Sequence, residues 1–139
     1  MRDDVRQALA IGPSATMEER TIDITTTGRR SGEPRRIEIC FYRFEGSTYL
    51  SGIPGPRRDW LANLAADPNF VFHLKRDVVA DLPAVATIIS DPAERRRIFA
   101  DFVDVFNQRN GPDSPWPKAV LDEWVEQSPL ARVSFEEVD

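Results

Sequence analysis

"TIDITTTGRRSGEPRRIEICFYRF", residues 21–44, decides how this chain folds. Its first run, TIDITTTG, is rich in β-branched residues that suit a pleated backbone, and reads as a strand. GRRSGE, residues 28–33, is a turn in which Gly28 and Gly32 are free to take positive φ. The run after it, PRRIEICFYRF, sets Ile37, Ile39 and Phe41 on one face and Glu38, Cys40 and Tyr42 on the other. That period of two belongs to a half-buried strand. The stretch therefore predicts an antiparallel hairpin whose turn is crowded by Arg29, Arg30, Arg35 and Arg36.

Working outward, EGS turns the chain into a third strand, TYLSGI, so the opening third is an antiparallel meander. Upstream, residues 5–11 read as a short helix ending before Gly12-Pro13. Residues 1–19 are then an N-terminal segment and 20–139 a single domain. Downstream, PGPRRDWLANLAADP changes period: Asp59 reads as an N-cap, Trp60, Leu61 and Leu64 share a helix face, and Asp67-Pro68 stops the helix. NFVFHLK and VVADLPAVATIIS return to strand, with Pro83 marking an edge or a bulge. In DPAERRRIFADFVDVFNQR, Asp91 caps a helix and Pro92 takes its first position. Ile98, Phe99, Phe102, Val105 and Phe106 form its apolar stripe. NGPDSPWP is a loop, KAVLDEWVEQ a second short helix and LARVSFEEV a closing strand. Six strands with interspersed helices predict an α+β domain on a small six-stranded antiparallel barrel.

Composition bounds the function. A chain of 139 residues with 41% hydrophobic and 29% charged residues is one globular domain, neither disordered nor collagen-like. No apolar run approaches the roughly 20 residues that span a bilayer. Acidic residues stand where a signal peptide is basic, and the single cysteine, Cys40, excludes an internal disulfide framework. These features together predict a cytoplasmic protein. The net charge of -5 argues against a general nucleic-acid or membrane-surface binder. Charge is nonetheless uneven. Residues 29–58 hold seven arginines against three glutamates, a local balance of +4, which suits a small anionic ligand better than a long polyanion. An overall preference for arginine over lysine is the plainer source of the same crowding.

Several chemistries are disfavoured. The one imidazole, His73, lies inside a predicted strand as a half-buried residue, and no nucleophile elbow precedes a helix, so a hydrolytic triad is not expected. One His and one Cys cannot supply the usual ligands of a zinc site. There is no Walker A sequence and no GxGxxG, so chemistry here falls to a cofactor. The arginine turn is the strongest feature left. Its backbone N–H groups form a concavity for anions, and arginines 29, 30 and 35 add charged forks for phosphate oxygens. A solvated turn remains the alternative on local residues alone.

TTTGRRSGEPRR, followed by a strand, a turn and YLSGIPGPRRDWLANLAADP, resembles the deazaflavin (coenzyme F420)-dependent nitroreductase and quinone reductase family. The likeness covers residues 20–90 closely and the remainder in its helix-then-strand layout. It implies the split β-barrel also used by FMN-binding oxidases. It assigns Arg29, Arg30, Ser31, Gly32 and Arg35 to the anionic arm of coenzyme F420, with Ile37 beside them. Ser51, Gly52, Ile53 and Pro54 are assigned to the ring-side loop, with Arg58 and Trp60 near the ring or the phosphate. The implied reaction passes a hydride from reduced F420 to an electron-poor small molecule such as a quinone, an enone or a nitro compound. No catalytic residue is assigned; the candidate proton sources are solvent, Tyr42 and Tyr49.

The ring-side loop is shorter than in better-known nitroreductases and lacks their lysine, and Arg30 stands where relatives often carry lysine. Activity on nitroimidazoles therefore does not carry over. Two other readings stay open: an FMN-binding reductase of the same fold, and a non-catalytic carrier of the cofactor or of a fatty acid. In the carrier, the aromatic helix at 95–109 with Trp116 and Trp124 would line an apolar pocket, although such a stripe more often forms core. No nucleic-acid partner is expected, because the basic turn carries no stacking aromatics. A homodimer is left open.

Overall fold

The computed structural model describes residues 1–115 and 117–136; Trp116 and the last residues of the predicted closing strand lie outside them. Strands β1 (Thr21–Thr27) and β2 (Pro34–Phe44) form the predicted hairpin, in a register running from Thr21 opposite Cys40 to Thr27 opposite Pro34. The meander continues into β3 (Ser47–Ser51), then through α3 (Asp59–Ala66) to β4 (Asn69–Lys75) and β5 (Val79–Ile88). The last strand, β6 (Leu130–Phe135), inserts between β3 and β5, while β4 pairs back onto β1. The result is a closed antiparallel barrel in the order β1-β2-β3-β6-β5-β4, so the six-stranded α+β expectation is met.

Alternation of side chains fills this barrel. Ile22 and Ile24 of β1, Phe41 of β2, Leu50 of β3 and Phe72 of β4 point inward and are at most 1% exposed. Phe41 and Phe72 meet edge to face with centroids 5.4 Å apart, a favoured geometry of aromatic quadrupoles. The same core takes in Val5 and Leu9 of α1 (Asp3–Leu9) and Trp60 and Leu64 of α3 (Asp59–Ala66). A second core lies outside the wall. There Ile98, Phe99 and Phe102 of α4 (Pro92–Asn110) pack with Trp124 of α5 (Leu121–Gln127), Tyr49 and Leu130. The aromatic stripe of α4 is thus packed as core against Trp124. Arg95 pins this layer by donating to the carbonyls of Ile89 (2.9 Å), Val125 (2.9 Å) and Ser128 (2.6 Å).

Several local expectations are corrected. Helix α1 begins earlier than residue 5, where Asp3 and Asp4 favour a first turn rich in unpaired N–H groups, and it ends at Leu9. A short α2 (Met17–Arg20) was not expected; Thr16 and Glu19 form its capping box. Asp59 is the first residue of α3 instead of its cap, which is Arg58. His73 is 7% exposed and so fully buried, although it points away from the barrel interior. Pro83 pairs with Val71 of β4, and the β6 ladder begins only at Ala84 opposite Phe135. The missing proline N–H therefore falls where pairing ends. The Pro83 carbonyl accepts from the Glu136 N–H there at 3.1 Å.

Candidate functional site

The turn between β1 and β2 is tightly closed. Gly28 N–H donates to the Glu33 carbonyl, and Gly32 N–H donates to the Gly28 carbonyl, each at 2.8 Å. Ser31 Oγ accepts from Glu33 N–H at 3.2 Å and from Arg35 Nη2 at 3.2 Å. Gly32 takes the left-handed conformation, φ +72°, as expected. Gly28 does not, and its need for glycine is steric: a Cβ there would lie 2.7 Å from Ser31 Oγ and 3.2 Å from the Glu33 carbonyl oxygen.

Between this turn and α3 lies a groove of about 370 Å³. Of the residues predicted from sequence, it brings together Arg29, Arg30, Ser31, Arg35, Ile37 and Trp60. It adds Thr26, Gly28, Asp59 and Asn63, which sequence reasoning did not single out for the site. Asn63 is 4% exposed. Its Oδ1 accepts from both the backbone N–H (3.2 Å) and Nη1 (2.9 Å) of Arg29, and its Nδ2 donates to Thr26 Oγ1 at 3.2 Å. Arg29 Nη2 also reaches Asp59 Oδ1 at 3.3 Å. A buried amide with this many bonds has a structural signature only once α3 is docked on the hairpin.

The other predicted residues form a neighbouring loop, joined to the groove through the start of α3. Ser51 is buried and its hydroxyl donates to the Pro129 carbonyl at 2.7 Å. Arg58 curls back on the loop, with Nη2 donating to the Ile53 carbonyl at 2.6 Å and Nη1 to the Pro56 carbonyl at 3.0 Å. Gly52 lies under that guanidinium, where a Cβ would come within 3.2 Å of Nη2. Ile53 is 51% exposed. Pro54 sits half-buried between them, and Gly32 is exposed at the tip of the hairpin.

The arginines divide accordingly. Arg36 is spent on Asp23 of β1 at 2.9 Å, on the outer wall of the barrel, and Arg43 on Thr48 Oγ1 at 3.2 Å. Lys75 also binds Asp23, at 2.7 Å, together with Glu38. Burial opposes ionisation of Asp23, but the hydrogen bonds from Lys75 and Arg36 outweigh it and hold the carboxyl below its ordinary value. Arg35 keeps a loose contact with Glu33 at 3.5 Å. Arg30 has no hydrogen bond or ion pair with any other described residue, and it faces the groove.

Neither tyrosine lines the groove. Tyr42 stacks on Phe102 at 4.7 Å, where burial pushes its phenol above the usual value, and Tyr49 is 2% exposed in the α4 core. On the outer wall, His73 Nδ1 lies 2.7 Å from Asp81 Oδ1 and Nε2 lies 2.7 Å from Thr25 Oγ1. This row has the order of a hydrolytic triad, which the sequence had not suggested. Thr25, however, pairs with Arg36 of β2 on one side and Val71 of β4 on the other. Its neighbours' N–H groups are therefore taken up by the ladders and supply no oxyanion hole.

A closed six-stranded antiparallel barrel with flanking helices is the split-barrel fold also found in FMN-binding proteins. Solved structures of that fold overlay on nearly the whole chain. The conserved hypothetical protein Rv2991 from Mycobacterium tuberculosis is 20% identical, with a TM-score of 0.64 over 99% of this chain and 82% of its own. A Listeria innocua protein assigned to pyridoxamine 5'-phosphate oxidase is 15% identical, with a TM-score of 0.61 over 97% and 93%. A structure described as an F420-H2 dependent reductase (FDR-A) is 16% identical, with a TM-score of 0.53 over 83% and 94%. No curated protein matches the chain. The family model of the F420H(2)-dependent quinone reductases matches residues 4–111, and the chain belongs to that family of enzymes. No helix among the described residues is long and apolar enough to cross a membrane.

Proposed function

We propose that this protein binds coenzyme F420 across the groove between the β1–β2 hairpin and α3, and reduces a small electron-poor acceptor of the quinone type. The observation that carries this reading is Arg30, which lines the groove without a partner among the described residues, beside Arg35 and Ser31. An unpaired arginine next to a second one is a receptor for phosphate or carboxylate oxygens.

The residues present fit the cofactor. Its anionic arm calls for charged forks and close backbone approach, and the turn offers Arg30, Arg35 and Ser31 around a glycine whose Cβ would fill the cradle. Its ring calls for an apolar wall with few charges, and Ile37 and Trp60 supply one at the same groove. Ser51, Gly52, Ile53 and Pro54 would flank the ring, on a loop that Arg58 braces through two carbonyls. When bound in its reduced form, F420 supplies the hydride. The chain's own part is to hold the two reactants in register and to keep water from between them. Neither tyrosine is placed to give a proton at the groove, so the acceptor's proton comes from solvent.

Titrating the protein with F420 and with FMN, each followed by fluorescence, tests the reading. Tighter binding of F420 is expected, because FMN ends in one phosphate whereas F420 adds a phosphodiester and several carboxylates. Equal or tighter binding of FMN would replace this reading with an FMN-dependent reductase on the same barrel. With reduced F420 supplied, a soluble quinone should be reduced as the F420 is oxidised; binding without turnover of quinones, enones or nitro compounds would leave a carrier.

A further inference from the structure

Arg29 differs from the arginines beside it. Its main-chain N–H and its Nη1 converge on one oxygen, Asn63 Oδ1, and its Nη2 turns to Asp59. Its side chain is only 27% exposed. The other end of the Asn63 amide holds Thr26, two residues before the turn begins, at 3.2 Å. Thr26 is 2% exposed. One buried side chain on α3 thus grips the hairpin on both sides of Gly28. The orientation of the amide is determined by its partners, since a flip would set its N–H₂ against two N–H donors of Arg29.

This arrangement spends Arg29 before any ligand arrives. Drawing its guanidinium toward an anion would cost the buried Asn63 oxygen the closer of its two donors and break the contact with Asp59, and a hydrogen bond to a charged group is costly to lose. Arg30 and Arg35 carry no such obligation, since Arg35 holds only exposed contacts to Ser31 and Glu33. We infer that Asn63, acting through Arg29, is the positioning residue that aims the hairpin's anion-binding edge, and that the charge felt by the ligand comes from Arg30 and Arg35. The inference rests on the groove being the F420 site. It reassigns Arg29 from ligand contact to strut.

The two roles separate in their salt dependence. Removing a guanidinium that meets the ligand's charge lowers affinity and flattens the dependence of affinity on salt. Removing an uncharged strut lowers affinity and leaves that dependence unchanged. Calorimetric titrations of F420 and of inorganic pyrophosphate at several KCl concentrations would compare Arg29→Met, Arg30→Met, Asn63→Ala and Asn63→Asp with the parent, each below its own melting temperature. Arg30→Met should lose about tenfold or more at low salt, the lower range for a charged hydrogen bond, and flatten the salt slope. Asn63→Ala, which removes no charge, should lose affinity with the parent slope, and Arg29→Met, which removes a charge held back from the ligand, should flatten the slope less than Arg30→Met. Asn63→Asp keeps an acceptor for both Arg29 donors and should recover most of the loss.

A slope flattened in Arg29→Met as much as in Arg30→Met would make Arg29 a ligand contact and overturn the inference. So would an Asn63→Asp variant as impaired as Asn63→Ala, or an Asn63→Ala variant that binds like the parent. If the parent takes pyrophosphate but not F420, and the variants keep the expected order on pyrophosphate, the cofactor reading falls and the strut stands. If the parent takes neither, both fall.

Discussion

Gly28→Ala isolates the steric requirement of the cofactor turn. The new methyl would stand 2.7 Å from Ser31 Oγ and 3.2 Å from the carbonyl oxygen of Glu33. The first neighbour could rotate away, but only by giving up its bonds from Glu33 N–H and Arg35 Nη2. The second is backbone, and it already accepts from the N–H of Gly28 itself at 2.8 Å. The methyl therefore fits only if the turn opens. Overpacking of this kind costs about 1–3 kcal/mol. In a domain of this size each kcal/mol moves the melting temperature by roughly 3–5 °C, so a fall of about 3–15 °C is expected. Cofactor affinity should fall with it, because Ser31 and Arg35 both shift. Gly32→Ala is the control. No atom lies within 4 Å of its Cβ position, and its φ of +72° is the only objection, worth about 1 kcal/mol. Thermal melts and F420 titrations of both variants give the order directly. A Gly28→Ala protein that melts and binds like the parent, or a more damaging Gly32→Ala, would refute the steric account.

Trp60 is both core and groove wall, being 8% exposed in the barrel core and lining the groove. Trp60→Ala should therefore cost roughly 3–5 kcal/mol of stability and also weaken F420 binding, while Trp60→Phe restores much of the former. Unchanged affinity of the folded Trp60→Ala protein would remove it from the wall. Asp23→Asn should destabilise by on the order of 1–2 kcal/mol at neutral pH, since it loses charge-assisted bonds from Lys75 and Arg36. The folded carboxyl titrates below its ordinary value of 3.8. Its contribution is thus complete above that value and disappears as pH falls through the lower, folded one. Urea midpoints of parent and variant should converge as the pH is lowered into acid; a gap unchanged between neutral and acid pH would place the effect elsewhere.

The barrel was largely legible in the sequence because its signals are local. Alternation from Ile37 to Phe41 set the hairpin faces, and Asp91 with Pro92 marked the start of α4. The turn arginines were legible as charge, and the family resemblance supplied the ligand proposed for them. Their division of labour was not. Whether Arg29 or Arg30 faces a ligand depends on Asn63, 34 positions along the chain, and no periodicity links the two. Asp59 illustrates the same limit: an acid before an apolar run looks like a cap, but docking α3 on the hairpin makes it a partner of Arg29. The row Thr25–His73–Asp81 arises from cross-strand register, which pairs β1 with β4 across 48 positions. Short α2 did carry its signal, Thr16 and Glu19 at capping-box spacing, but no apolar run follows to draw attention to it.

The place of β6 has a consequence for synthesis. Strands β3 and β5 each take β6 as a neighbour, so the wall cannot be completed until residues 130–135 have left the ribosome. Until then the growing chain carries two bare strand edges, and bare edges are templates for aggregation. The hairpin and α3, by contrast, are complete by residue 66, with their mutual bonds through Asn63 already available. The groove proposed to hold F420 can thus be assembled while the barrel behind it is still open. Cells supplying F420 during translation should yield more soluble protein than cells lacking it, through a ligand acting on the nascent chain.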